Sequence, residues 1–135
     1  MPLLIDEKTL TIQQYLKFKG YTTGCIGKWH LGWGNGIYPD WNGELKPGPL
    51  ETGFDYYYGV PYSHNSPSHL QVYVENRRIV GLNDGENIYD KKVQERVQRS
   101  LELTATDLTE KAVDFIKKNQ NKPFFLYFPT SNVHA

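Results

Sequence analysis

Between Thr9 and Lys19, Ile12, Tyr15, Leu16 and the aliphatic stem of Lys19 recur at helical spacing. Thr9 is placed to cap that helix, and Gly20 to end it in a left-handed turn. Tyr21 to Ile26 then reads as a short strand rich in β-branched residues and closed by Gly27. From Lys28 to about Pro67 the period disappears, and glycine, proline, tryptophan and tyrosine dominate. A loop of that length in a compact domain is commonly functional, and its aromatic content argues against disorder. "LQVYVENRRIV", Leu70 to Val80, alternates as a hairpin turning near Glu75 and Asn76, while Leu82 to Arg99 is polar and weakly patterned. Thr106 to Asn119 is the clearest helix, with Leu108, Ala112, Phe115 and Ile116 in one stripe and Lys117 and Lys118 favouring its C-terminus. Pro123 stops it. "FFLYF", residues 124–128, is a continuous apolar run, the pattern of a strand covered on both faces.

Helix–strand, a long insertion, then helix–strand again is an α/β pattern with parallel core strands. In such sheets ligands gather beyond the carboxyl ends of the strands. Lys28 and His30 lie just past the first strand, and Ser131 to His134 just past the last. Two polar clusters distant in sequence are therefore expected on one rim. Alternation sends Lys28 and His30 to one side of an extended segment and Trp29 to the other.

Composition narrows the possible partners. Fifteen basic and fifteen acidic residues cancel over 135 positions, leaving no global field to attract nucleic acid or a membrane surface. The run Lys91 to Arg99, interrupted by Gln94, Glu95 and Gln98, reads as a solvated face. The single cysteine, Cys25, excludes an internal disulfide framework and reads as a buried structural thiol. No apolar run approaches a transmembrane span, and "MPLLI" before Asp6 is too short for a signal-peptide core. The compartment stays open.

Other candidate motifs carry little. His64 and His69 sit in a proline- and serine-rich stretch with no helix to fix metal geometry. "GWGNG" is followed by "IYPDWNG" and not by the helix a dinucleotide loop requires. "LNDGEN" lacks calcium-loop spacing and reads as a turn.

The residues around Lys28 carry more. "GYTTGCIGKWHLG" resembles the second signature of the sulfatase family, in which a helix ends in Gly-Tyr, a strand follows, and Gly-Lys-Trp-His-Leu-Gly enters the active site. "DEKTLTIQQYLKFKGY", "KPGPLETGFDYYYGVPYSHN" and "LTEKAVDFIKKNQNKPFFLYFPTSNVHA" resemble flanking blocks of that family in the same order. The resemblance covers essentially the whole chain and is closest to the arylsulfatase branch. It implies an alkaline-phosphatase-like α/β fold with a mainly parallel sheet. It also implies hydrolysis of sulfate esters, aryl or carbohydrate, by a calcium-bound formylglycine.

By the same resemblance, Lys28 matches the lysine that holds sulfate and nucleophile oxygens, and His30 the histidine that takes a proton from the hydrated aldehyde. His134 matches a histidine near the ester oxygen, and Ser63 a serine contacting substrate. Family members are often periplasmic, secreted or lysosomal.

Departures bound that reading. The family's Cys- or Ser-x-Pro-Ser-Arg nucleophile motif is absent, and Cys25 lies in the wrong block to replace it. The paired calcium-binding aspartates are also absent, as is the Asp-Asn pair expected after His134; Asn83-Asp84 has the wrong order and place. Residues 1–135 are accordingly expected to be a partial sulfatase catalytic domain, truncated at both ends and inactive alone, with ligands for neither calcium nor formylglycine. The alternative is a complete non-catalytic module that binds a sulfated or other anionic ligand on the Lys28, His30 and His134 rim.

Overall fold

The computed structural model describes residues 1–62 and 70–130. Eight elements follow one another: α1 (Ile12–Phe18), β1 (Thr22–Lys28), β2 (Tyr56–Val60), β3 (Val74–Glu75), β4 (Arg78–Ile79), α2 (Lys91–Val97), α3 (Thr104–Asn119) and β5 (Phe124–Tyr127). They build one sheet in the order β4-β3-β2-β1-β5. One half of it, β2-β1-β5, is parallel as expected of the core strands, and the β3–β4 hairpin continues it antiparallel. Asn76, with φ of 55°, turns that hairpin where the alternation placed the turn.

β2 corrects the sequence expectation most. The stretch from Lys28 to Pro67 was expected to be loop, yet "YYYGV" within it is a strand beside β1. Tyrosine and valine fit a pleated surface well, and here β1 supplies the partner that makes the strand. Alternation along β1 and β2 then divides the core. Cys25 and Tyr57 face one side with Trp29, Trp33, Trp41 and Leu45, all buried. Ile26, Tyr58 and Val60 face the other, under Leu108, Ala112 and Phe115 of α3. One layer is thus an amphipathic helix, and the opposite layer is largely the aromatic loop between β1 and β2.

Two glycines let β1 sit at the centre. A Cβ on Gly24 would lie 2.7 Å from the Phe115 ring, so α3 packs directly on the strand backbone. A Cβ on Gly27 would come within 2.1 Å of the Pro129 carbonyl oxygen, so the chain after β5 can close on the end of β1.

α1 begins later than expected. Its cap is Thr11, in a capping box with Gln14, not Thr9. Its apolar stripe does not face inward either: Ile12 is 59% and Tyr15 47% exposed. Polar anchors set the docking instead. Thr11 Oγ1 donates to the Thr52 carbonyl at 2.7 Å, and the buried Gln13 amide donates to Thr52 Oγ1. β5 departs from expectation too. It pairs with β1 on one side and is the edge of the described sheet, so "FFLY" is half-buried with Tyr127 exposed rather than covered on both faces. α3 buries Leu108, Ala112 and Phe115 but leaves Ile116 41% exposed. α2, missed in the weakly patterned stretch, has no buried residue, so the solvated-face reading of Lys91 to Arg99 holds over the helix and fails at Arg99. Arg99 at its end is buried and donates to Gln71 Oε1 at 2.6 Å.

Asp55 ties α1 to the start of β1. Its carboxylate accepts from the Thr23 backbone N–H at 2.9 Å and lies 2.6 Å from Lys17 Nζ. Burial opposes its ionisation, but the Lys17 and Thr23 bonds outweigh burial and hold the carboxyl below its usual value. A depressed folded value stabilises above the unfolded pKa and is lost as pH falls through the folded one. Asp55→Asn is expected to cost about 1–2 kcal/mol at neutral pH, Lys17 being half-exposed. That difference should shrink as denaturation is measured at pH values falling below about 4. A pH-independent difference would remove the charge from this account.

Candidate active site

β1 and β2 end together, Lys28 opposite Val60. Beyond that point the chains stay joined: the Trp29 amide donates to the Val60 carbonyl and the His30 amide to the Pro61 carbonyl, both at 3.0 Å. On the other side the Lys28 amide donates to the Pro129 carbonyl at 2.9 Å. The carboxyl ends of three parallel strands therefore converge on residues 28–30, where an α/β sheet presents its ligands' site.

Trp29 fixes the direction of this segment. It is 4% exposed, its indole N–H donates to the Gly32 carbonyl at 2.8 Å, and its ring packs against Trp33 and Tyr57. Lys28 before it is half-buried and His30 after it exposed. The extended geometry stops at His30, whose φ is 55°. Histidine visits that left-handed region more readily than most residues, and held backbone of this kind clusters at functional sites.

Among the described residues no carboxylate pairs with Lys28, the last residue of β1. The His30 ring meets Tyr62 edge to face, centroids 6.1 Å apart and planes at 86°. Tyr62 has no role in the sequence pattern, because its approach to His30 depends on β1 and β2 ending in register. Ser63, His64, His69 and His134 lie outside the described residues.

Calcium and formylglycine find no fit in the described chain. No group of three or more His, Cys, Asp or Glu is arranged to hold a metal among the described residues. Cys25 is fully buried in the centre of β1, and burial pushes its thiol well up, which makes it inert. No chemical step is assigned through either group. A cavity of about 330 Å³ lies at the opposite end of β1, lined by Thr22, Asp55, Tyr56, Glu75 and Lys111 among others. Asp55 is paired to Lys17, Glu75 accepts from the Tyr56 hydroxyl, and Lys111 lies 3.9 Å from Glu75. Those groups are already engaged, whereas Lys28 has no carboxylate partner among the described residues.

Comparison with known proteins gives a consistent result. The family model described as Sulfatase matches residues 4–135. An N-acetylgalactosamine-6-O-sulfatase of Bacteroides thetaiotaomicron is 31% identical over 98% of this chain and 34% of its own length. Human arylsulfatase G is 30% identical over 98% of this chain and 26% of its own. A solved structure described with the metabolism of multiple glycosaminoglycans by Bacteroides thetaiotaomicron superposes with a TM-score of 0.84. Its identity is 28%, covering 98% of this chain and 36% of that one. The chain thus spans about a third or less of the length of these relatives. Among the described residues no helix is long and apolar enough to cross a membrane.

Proposed function

Since the chain belongs to the sulfatase family, we propose that it forms the anion-binding and proton-transfer side of a sulfate ester hydrolase site. The substrate is a sulfate ester of a carbohydrate or an aryl group. The observation that carries this reading is Lys28, a half-buried cation with no carboxylate partner among the described residues, one residue from a wedged Trp29 and two from His30. A fixed ammonium there offsets the charge that builds on sulfate oxygens as the ester bond breaks. His30 exchanges a proton at the reacting oxygen, a task imidazole performs near neutral pH. Substrate contacts are assigned to Ser63 and His134 by the family resemblance alone.

The non-catalytic alternative is not favoured, because the matched relatives are named as sulfatases across this entire stretch. The test is a chimera in which this chain replaces its matching stretch in the Bacteroides thetaiotaomicron N-acetylgalactosamine-6-O-sulfatase. It should hydrolyse 6-O-sulfated N-acetylgalactosamine, and Lys28→Ala should lower kcat/KM about 10²–10³-fold. A folded, active chimera whose turnover Lys28→Ala leaves unchanged would refute the assignment.

A further inference from the structure

The turn that carries His30 is bracketed from one side by a short aromatic relay. Trp41, 8% exposed, meets Tyr62 edge-on with centroids 5.7 Å apart, and Tyr62 in turn meets His30 at 6.1 Å. The relay has a fixed base. Asn42, next to Trp41, accepts from the Ile88 amide at 2.7 Å and donates to the Asn87 side chain at 3.2 Å. Ile88 itself is fully buried in the same cluster. The loop before β2 is thereby tied to the segment before α2, and Tyr62 rests on that tie. At the same time the His30 amide is held by the carbonyl of Pro61, the residue before Tyr62.

We propose that Tyr62 is a positioning residue for His30: its ring and the preceding carbonyl hold the imidazole by side chain and backbone together. This rests on the proton-transfer role given to His30 above. Two perpendicular rings at this separation attract through the edge and face of their π systems, so the contact favours one imidazole orientation over the other rotamers. The backbone bond restrains only φ and ψ; the ring contact restrains the side chain, on which proton-transfer geometry depends. Burial pushes the Tyr62 phenol up, so it meets the imidazole as a neutral ring and not as a counter-ion. The ring contact is the part assigned to Tyr62, and phenylalanine, which keeps the ring, should preserve it.

Histidine labelled with ¹³C at Cε1 tests this in the intact chain without substrate. His30→Gln assigns the His30 signal among the four histidines. In the unmodified chain, a nuclear Overhauser contact should join the His30 and Tyr62 ring protons, and the His30 signal should be displaced from the free-imidazole position. Tyr62→Phe should keep the displacement; Tyr62→Leu should abolish it, with the Trp29 indole N–H signal unmoved as the control for folding. A His30 signal unchanged in Tyr62→Leu overturns the proposal, as does a displacement that Tyr62→Phe removes equally. Should Tyr62→Leu unfold the chain, the contact in the unmodified protein decides: its absence is a refutation. Because turnover is not read, this result is independent of whether His30 transfers a proton.

Discussion

His30→Ala in the sulfatase chimera is expected to lower kcat/KM by about 10²–10⁴-fold, the contribution of a positioned general acid–base group. The backbone of residue 30 is held by Pro61 and the direction of the segment by buried Trp29, so truncating the His30 side chain leaves those backbone restraints in place. On the proposed assignment sulfate oxygens would meet Lys28 in ground and transition states alike, so Lys28→Ala should raise KM as well as lower kcat, whereas His30→Ala should act mainly on kcat. The pH profile gives a second signature. If His30 is the free enzyme's titrating base, its removal should flatten one limb of the kcat/KM curve. Lys91→Ala, on the exposed face of α2, is the control and should change nothing. A His30→Ala effect below tenfold, or an unaltered pH limb, would take proton transfer away from this residue.

What the sequence disclosed depended on the range of the information. α3 and the hairpin were legible because periodicity of 3.6 or 2 is local and strong in both. β1 was legible as a β-branched run ended by glycine, and its two extra residues, Gly27 and Lys28, exist because β2 pairs with them. β2 itself was hidden. Its five residues sit between glycine- and proline-rich stretches, and what makes them a strand is β1, about thirty positions earlier. α1 was found, yet its inward face was misread, because its docking rests on Thr11, Gln13 and Lys17 rather than on its apolar residues.

The same division holds at the site. Lys28 and His30 could be picked out from a short motif, whereas Tyr62 reaches His30 only through the register of two strands. The roles of Lys28, His30, Ser63 and His134 are all proposals, and the last two residues lie outside the described ones.

Phe115→Ala should be the most damaging single truncation in the α3 layer, costing about 3–5 kcal/mol. That is a large part of what a domain of this size has to lose. Phe115 is 5% exposed and lies over Gly24, where the missing side chain lets the ring reach the strand backbone. It stacks on Tyr56 at 6.1 Å and meets Phe124 edge to face at 6.0 Å, so one ring joins α3 to β1, β2 and β5 together. Gly24 has no side chain that could turn into the space the ring leaves. Ile116, one position on and 41% exposed, should cost less than about 1.5 kcal/mol when truncated. Urea unfolding followed by tryptophan fluorescence separates the two, and all three tryptophans lie on the face of the sheet opposite α3. A midpoint shift seen by those reporters shows that both layers unfold as one unit around β1. If Phe115→Ala shifts the midpoint no more than Ile116→Ala, the glycine-backed contact is not what holds α3 to the sheet.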